Sequence, residues 1–527
     1  MNEMTRRDFV TKVGLGLTAL SSIGVTDTAK ASIQASEHWH VSAEEALAWH
    51  RIKDSHGGPT LTGSASWKHF IGFLETQLTA YGCVDFIRNR WNFNRWVTSE
   101  WPDASHWTLA INGRPVPVAS YGANSGATPS EGVTAELAIY EPGKPPSAYT
   151  GKIVVFRPVV TPELLNALDW DYEYASAAVG YPNPKQLPGH AHQSQAMPMF
   201  AQITQFPRVV PQLIEAKALG CLFVLDAGEE QAAGLYTFPV PALHSLPSLY
   251  LDRKAGADVV AAAARGERAT LRLLSQVETA EAWQTIAFLP GRHYGTPADE
   301  MIQLTTHTDG PSISQDNGAL GLLGLVKYFS HLPQEQRQRS LMVFLDCRHY
   351  MPGDEHAFAN QDWFALHPEA RKNVVGLIHM EHLGQIGFYE EGDRLVPIGQ
   401  TEPFSLWATN HQKMVDTAIR VVKATQLPGA CVRNADRPGV HGRSQGPWFG
   451  LGGVARQLGI PAFGIMGLLG AYWTSSSRLS RLDAVLFAQQ VAAFVRLTAE
   501  LMEADLASLR SKPVEGMEAL KLVRPEH

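Results

Sequence analysis

The chain has 527 residues, of which 45% are hydrophobic and 18% are charged. At roughly 150 residues per domain, this length predicts two to four folding units. The hydrophobic fraction is sufficient for packed cores and excludes disordered, collagenous, coiled-coil and disulfide-scaffold chains. The formal net charge of -7 opposes binding to a phosphate backbone, so we expect no nucleic-acid partner.

Four cysteines are scattered along the chain without a C-x-x-C pair: Cys83, Cys221, Cys347 and Cys431. Their spacing indicates neither a thiolate zinc site nor a redox motif. Cys221 and Cys347 lie in apolar runs, and we expect them to be small buried core residues. The sequence leaves open whether any two of the four form a disulfide.

The first 31 residues have the order of an export signal. Arg6-Arg7 precedes a weakly apolar run over 13–25, and Ala29-Lys30-Ala31 matches an A-x-A cleavage site. The adjacent arginines resemble twin-arginine signals, which serve proteins that fold before export. The apolar run is too short and too rich in Gly and Ser to span a bilayer. We therefore expect a periplasmic or secreted protein with no membrane helix in its mature form.

Two changes of pattern divide the rest of the chain. Up to about residue 132, a helix predicted over 67–81 is mixed with Trp-rich and Gly/Pro-rich segments typical of strands and turns. From 133 to 280 the pattern is of short strands, such as GKIVVF at 151–156, with an amphipathic helix over 209–220. From about residue 283, strands alternate with helices, which indicates an α/β fold with a mostly parallel sheet and crossover helices.

The predicted strands of this last region are 301–307, 340–346, 374–381 and 461–467, and its predicted helices are 318–332, 406–426 and 482–509. In such sheets the ligand lies beyond the carboxyl ends of the strands. Polar residues that directly follow a buried strand are therefore the candidate site residues.

Three polar residues near these strand ends, His307, Asp316 and Glu381, are of the types that bind divalent metals. His307 and Asp309 point the same way in an extended segment, so the Asp309 carboxylate is expected to orient the His307 imidazole. Asp316 opens the next helix, as a helix cap or as a ligand. Glu381 ends an apolar strand, where a buried charge needs a compensating cation. An imidazole and two carboxylates predict a metal site formed by His307, Asp316 and Glu381.

These motifs resemble those of the zinc aminopeptidase and glutamate carboxypeptidase family, whose catalytic domain holds two metal ions bridged by an aspartate. His307-Thr308-Asp309 matches the His-x-Asp motif, Asp316-Asn317-Gly318 the bridging aspartate, and GLIHMEHLG at 376–384 the strand that supplies a further acidic ligand, here Glu381. The resemblance implies a zinc exopeptidase-like sheet.

The same resemblance implies a division into domains. Residues 32–132 would begin the catalytic domain, 133–280 would be an inserted, β-rich protease-associated domain, and 281–527 would complete the catalytic domain. Segments such as GCLFVLDAG at 220–228 carry the likeness to the inserted domain.

The departures from the family fall on the second metal. Two adjacent glutamates, the general base and a metal ligand, are replaced by Arg348 and His349, and the last histidine ligand by Trp473 in Tyr472-Trp473-Thr474. A guanidinium stays protonated, so Arg348 cannot be the base; it would bind a substrate carboxylate or a developing oxyanion, or form a surface salt bridge. We predict one metal ion per chain, zinc with iron as the alternative, and His349 as an additional candidate ligand. Asp309, Arg348 and His349 are the candidate catalytic residues.

Three functions stay open. The first is an exported metal-dependent hydrolase of an amide or related acyl bond in a small molecule or peptide, with His349, His379 or Glu355 replacing the missing base. The second is a non-catalytic relative that binds a peptide or small ligand in the same cleft, which Trp473 favours. The third is redox chemistry on an iron ion, to which the extra histidines, including His382, are suited. The sequence predicts no oligomeric state.

Overall fold

The computed structural model describes residues 37–176, 197–353, 362–467 and 473–512. The predicted export signal, the base candidate Glu355 and Tyr472 lie outside these ranges. The helices are α1 (Ala43–Asp54), α2 (Ala65–Ala80), α3 (Pro162–Ala167), α4 (Met197–Ile203), α5 (Phe206–Glu215), α6 (Glu229–Ala232), α7 (Arg253–Ala264), α8 (Gly318–Ser330), α9 (Trp363–Leu366), α10 (Pro368–Arg371), α11 (Gln412–Thr425), α12 (Gly453–Leu458) and α13 (Ala484–Glu503).

The strands are β1 (Val84–Val97), β2 (Trp107–Ile111), β3 (Arg114–Val116), β4 (Ser120–Tyr121), β5 (Val133–Ile139), β6 (Ile153–Phe156), β7 (Tyr174–Ala175), β8 (Gly220–Val224), β9 (Ser248–Leu251), β10 (Arg268–Leu273), β11 (Gln276–Leu289), β12 (Met301–His307), β13 (Ser340–Asp346), β14 (Val374–Glu381), β15 (Ile386–Glu391), β16 (Arg394–Thr401), β17 (Phe404–Ala408), β18 (Ala430–Arg433) and β19 (Ala462–Gly467).

The larger sheet has the order β1-β11-β13-β12-β14-β19-β17-β18-β7. Its central strands β13, β12, β14 and β19 are parallel, and β11 and β17 flank them in antiparallel pairs. The central strands are almost entirely buried, as expected for apolar runs in a sheet that is covered on both faces. Their carboxyl ends meet at one edge, and this mixed sheet confirms the predicted α/β fold.

Two apolar helices cover the centre of this sheet. The helix α8 is buried along most of its length and packs on β12 and β14. The last long helix, α13, packs on α1, α8 and α11. In the part of the chain that the structure describes, α13 alone has the length and composition of a membrane span, but most of its apolar window is buried inside the protein. It therefore has the character of a core helix.

The second sheet has the order β3-β2-β10-β5-β6-β8-β9-β4. It draws its strands from Trp107–Leu273, so it begins earlier in the chain than residue 133. A short segment of this unit meets the edge of the larger sheet: the backbone N–H of Tyr236 donates to the carbonyl of Trp473, and that of Ser475 donates to the carbonyl of Gly234, each at 2.8 Å. The inserted unit thus borders the region that follows β19.

Most predicted elements of the larger sheet are confirmed, and β12, β13 and β14 have the predicted bounds. The predicted helix over 406–426 is wrong at its start, because Phe404–Ala408 form β17 and α11 begins only at Gln412. The five residues of β17 are all buried between β19 and β18, and the His411 side chain caps α11. The four cysteines are free and buried.

Candidate metal centre

Polar side chains converge where β12 and β14 end. His307 is the last residue of β12, Glu381 is the last residue of β14, and His382 follows directly; all three are buried. His382 has a φ of +56°, a left-handed conformation that is costly for a residue with a side chain. This turn brings its ring back toward the preceding carboxylate. The candidate ligand atoms of the three residues all lie within 4.8 Å of one another.

Backbone carbonyls fix the protonation of both imidazoles. The Nδ1 atom of His307 lies 2.8 Å from the carbonyl oxygen of Asp309, and that of His382 lies 3.0 Å from the carbonyl oxygen of Gly467. Because a carbonyl only accepts, each Nδ1 carries the proton and each Nε2 carries a lone pair. Both Nε2 atoms lie 3.9 Å from Oε2 of Glu381. Two lone pairs and a carboxylate oxygen therefore face one another.

This donor set fits one divalent ion. The Nε2 atom of His307 is buried and has no hydrogen-bond partner. The Nε2 atom of His382 lies 3.0 Å from the Gln315 amide nitrogen, so Gln315 and an ion are alternatives at that lone pair. Two histidines and a glutamate form catalytic zinc sites with bonds of about 2.0–2.2 Å, which puts tetrahedral ligand atoms roughly 3.4 Å apart. The two Nε2–Oε2 separations of 3.9 Å exceed this by about 0.5 Å, so side-chain shifts of at least about half an ångström would bring these atoms around one ion.

Neighbouring groups orient the Glu381 carboxylate. Its Oε1 lies 2.7 Å from Nε2 of His379, which leaves Oε2 directed at the other two imidazoles. Burial opposes ionisation, but the His379 imidazole beside Oε1 holds the pKa of Glu381 well below its usual range. Gly450 has a φ of +72°, and a Cβ there would lie 2.7 Å from both carboxylate oxygens. Only glycine allows this loop to cover Glu381 so closely.

Asp316, predicted as a ligand, has a different partner. Its Oδ1 lies 2.7 Å from Nζ of Lys53, and its Oδ2 accepts a hydrogen bond from the Thr60 hydroxyl. Both charged groups are buried. Among the described residues, Asp316 does not belong to the 4.8 Å cluster. The structure thus brings His307 and Glu381 together, as expected, but adds His382 where Asp316 was predicted.

Asp309 acts through different atoms from those predicted. Its backbone carbonyl, not its carboxylate, holds His307; Oδ1 is 3.8 Å from the His307 Nδ1 atom. The carboxylate instead accepts backbone N–H bonds from His349 at 3.3 Å and from Tyr350 at 2.6 Å. Burial raises the pKa of Asp309 to about 8 although the Tyr350 N–H opposes the rise. Asp309 therefore holds the turn that carries His349.

Arg348 and His349 point to different environments. The Arg348 guanidinium lies 2.9 Å from Oδ1 of Asp346 through Nε and 3.4 Å from Asp362 through Nη2. This is the salt bridge that was expected as the alternative role of Arg348, but it is buried. The His349 ring is exposed and stacks on the His307 ring, with centroids 4.2 Å apart. Stacking does not direct both rings at one ion, so His349 lies beside the three-residue cluster.

Apolar side chains border the cluster on the β19 side. Met466 pairs in register with Glu381 and packs in a cluster with Trp170 and Trp473. The half-buried Trp473 ring lies 5.9 Å from the ring of Phe200, which belongs to the inserted unit. Trp473, which the resemblance aligns with the family's last histidine ligand, is therefore part of an apolar wall.

The sequence matches no protein-family model and no curated protein. Solved structures that are similar to it at low identity include three peptidases. A peptidase M28 precursor from Shewanella amazonensis is 14% identical, with a TM-score of 0.59 over 90% of this chain and 97% of that chain. An aminopeptidase from Aneurinibacillus sp. strain AM-1 is 14% identical, with a TM-score of 0.51 over 89% and 96%. A zinc aminopeptidase from Bacillus subtilis is 11% identical, with a TM-score of 0.55 over 90% and 99%. The chain therefore has the zinc exopeptidase-like fold of the M28 peptidases and zinc aminopeptidases.

Proposed function

We propose that the chain is an exported hydrolase of an amide or related acyl bond that uses one divalent metal ion, zinc in preference to iron. The observation that carries this proposal is the buried, unpartnered Nε2 of His307, which faces Oε2 of Glu381 together with the Nε2 of His382. The similarity in fold to zinc aminopeptidases supports it. The chemistry that a divalent ion supplies in such a site is Lewis acidity toward a carbonyl oxygen or a water molecule.

Each residue has a distinct role in this proposal. His307, Glu381 and His382 hold the ion, and His379 orients the glutamate. His349 is the proposed general base, because its ring is exposed, stacks on a ligand and accepts a proton when neutral. Of the other two candidates, Glu355 lies outside the described residues, and His379 is buried and bonded to Glu381, which makes it a poor base toward substrate.

The surroundings favour a small-molecule or peptide substrate with an apolar group. The wall formed by Met466, Trp170 and Trp473 offers apolar contacts beside the cluster. Export by the twin-arginine route rests on Arg6-Arg7 alone. Its test is secretion of a reporter fused to residues 1–31, compared with the same fusion carrying Arg6→Lys and Arg7→Lys.

The activity test combines metal analysis with a panel of aminoacyl, acyl-amide and ester substrates. We expect turnover that a chelator abolishes and zinc restores. His349→Gln should lower kcat by about 100-fold to 10,000-fold with little change in KM, and should remove the acidic limb of the pH profile. His331→Gln, at the far end of α8, is the control for loss of an exposed imidazole. A metal-loaded protein whose turnover is unaffected by His307→Ala would refute the proposal.

A second candidate is oxidation chemistry on iron. Two histidines and one carboxylate are also the ligand set of non-haem Fe(II) enzymes, and His307, His382 and Glu381 supply that set. Metal analysis by mass spectrometry of protein exported through its native route separates iron from zinc. Stoichiometric peptide binding that survives chelation, without turnover, would instead support non-catalytic binding.

A further inference from the structure

The N-terminal helix α1 packs two buried polar side chains against the segment next to the metal centre. The Nε2 atom of His50 lies 3.1 Å from the side-chain amide nitrogen of Asn317. Asn317 in turn accepts from the backbone N–H of Leu383 at 2.8 Å and donates to its carbonyl at 2.9 Å. Since Leu383 directly follows His382, this chain of contacts joins α1 to a proposed ligand.

The second side chain, Lys53, is three residues further along α1 and reaches Asp316. Its ammonium lies 2.7 Å from Oδ1 of Asp316 and donates to the Ser312 carbonyl oxygen at 3.0 Å. It also lies over the Phe70 ring, 5.6 Å from the centroid. The Thr60 hydroxyl takes the other carboxylate oxygen. Oδ2 of Asp316 is therefore hydrogen-bonded, whereas Oδ1 has no aligned hydrogen bond from a described residue and is compensated by an ion pair with a cation that belongs to the chain itself.

We propose that Lys53 is a built-in cation that takes the place of a second metal ion. It pairs permanently with Asp316 and keeps this carboxylate out of the centre formed by His307, Glu381 and His382. A divalent ion bound to Oδ1 would sit about 2 Å from that oxygen, and hence close to a buried ammonium. Like charges repel strongly at such a distance away from water, so the two cations exclude each other.

This inference rests on the proposed metal centre but not on hydrolysis. The test measures zinc per chain by mass spectrometry after dialysis against buffered zinc, and the melting temperature of the metal-depleted protein. The variants are Lys53→Met, Asp316→Asn, the two combined, and His382→Ala. Lys327→Met is the matched control, because Lys327 also pairs with a carboxylate, that of Glu45, but in a more exposed position.

We expect one zinc ion per wild-type chain. The combined Lys53→Met, Asp316→Asn variant should retain it with an affinity within about 3-fold of wild type, whereas His382→Ala should lose at least 10-fold. Lys53→Met alone should lower the melting temperature because it leaves a buried carboxylate unpaired, and adding Asp316→Asn should restore most of the loss. Lys327→Met should change neither quantity appreciably.

Two results would overturn the inference. One is two zinc ions per wild-type chain. The other is a combined variant that loses zinc as severely as His382→Ala, which would make Asp316 a ligand. The combined variant keeps the test decisive if Lys53→Met alone does not fold. Because neither readout depends on turnover, an inactive protein would contradict the proposed hydrolase without contradicting the role of Lys53.

Discussion

Replacement of Arg348 by methionine should destabilise the protein, because it removes the counter-ion of a buried carboxylate. Asp346 is 3% exposed and Arg348 is 8% exposed. Without the guanidinium, Asp346 keeps the backbone N–H groups of Cys347 at 2.7 Å and of residue 348 at 3.2 Å and the Gln284 amide at 3.3 Å, but it loses the cation that pairs with it. Removal of one partner of a buried pair costs about 3–5 kcal/mol. For a domain of 150–250 residues this lowers the melting temperature by about 6–20 °C.

The pH dependence of this loss has a definite sign. In the wild type, burial opposes ionisation of Asp346, but Arg348 holds its pKa below the usual value. The stability contributed by this depressed pKa is complete above about pH 4 and is lost as the pH falls further. In Arg348→Met the remaining burial raises the pKa of Asp346, so protonation relieves the penalty as the pH falls from 8 to 5. The difference in melting temperature should therefore shrink over that range.

Calorimetry at pH 8, 7, 6 and 5 measures both effects. The control is Arg420→Met, which removes an exposed ion pair with Glu500 and should cost at most about 1 kcal/mol. The combined Arg348→Met, Asp346→Asn variant should recover part of the loss. The reasoning would be refuted if Arg348→Met had the same melting temperature as the wild type at pH 7. It would also be refuted if the difference in melting temperature between the two proteins grew as the pH fell.

Three further predictions concern the metal centre and its supports. His379→Ala should weaken zinc binding by about 10-fold to 100-fold, because Glu381 loses the imidazole that orients its carboxylate. Competition with a chromophoric chelator measures the affinity, and an unchanged affinity would contradict this prediction. Gly450→Ala should lower both zinc affinity and melting temperature more than the control Gly442→Ala. Both glycines have a φ near +70°, but only a Cβ at 450 would contact the Glu381 carboxylate. Equal effects of the two substitutions would contradict a role for the contact between residue 450 and Glu381. Burial lowers the pKa of His50 to about 3, so the unfolded chain alone takes up a proton below pH 6.5. As the pH is lowered from 6.5 to 3, this group should reduce the free energy of unfolding by up to about 1.4 kcal/mol per pH unit. In calorimetric unfolding, His50→Gln should make the dependence of stability on pH less steep over that range.

The sequence alone predicted the central strands because their composition allows few alternatives. β13 and most of β14 are apolar runs that end in a polar residue, β12 alternates apolar residues with Gln and Thr, and all three are buried as in the middle of a covered parallel sheet. The shared carboxyl edge of that sheet then brings His307 and Glu381 together. Local patterns failed at β17, where an apolar strand and an amphipathic helix are separated by only three residues. Pairing with β19 decides where that strand ends.

Only the tertiary structure decided the third member of the cluster and the partner of Asp316. Adjacent residues in a strand face opposite sides, so the strand pattern does not place His382 beside the Glu381 carboxylate; a left-handed φ at His382 does so. Lys53 lies in a helix far from Asp316 in the sequence. No residue spacing in the sequence predicts an ion pair between such distant segments. The strand patterns of the sequence therefore predicted that the candidate ligands lie at the carboxyl ends of the central strands. The charge balance there depends on which distant side chains the fold buries together, because a buried carboxylate needs a nearby cation wherever in the sequence that cation comes from.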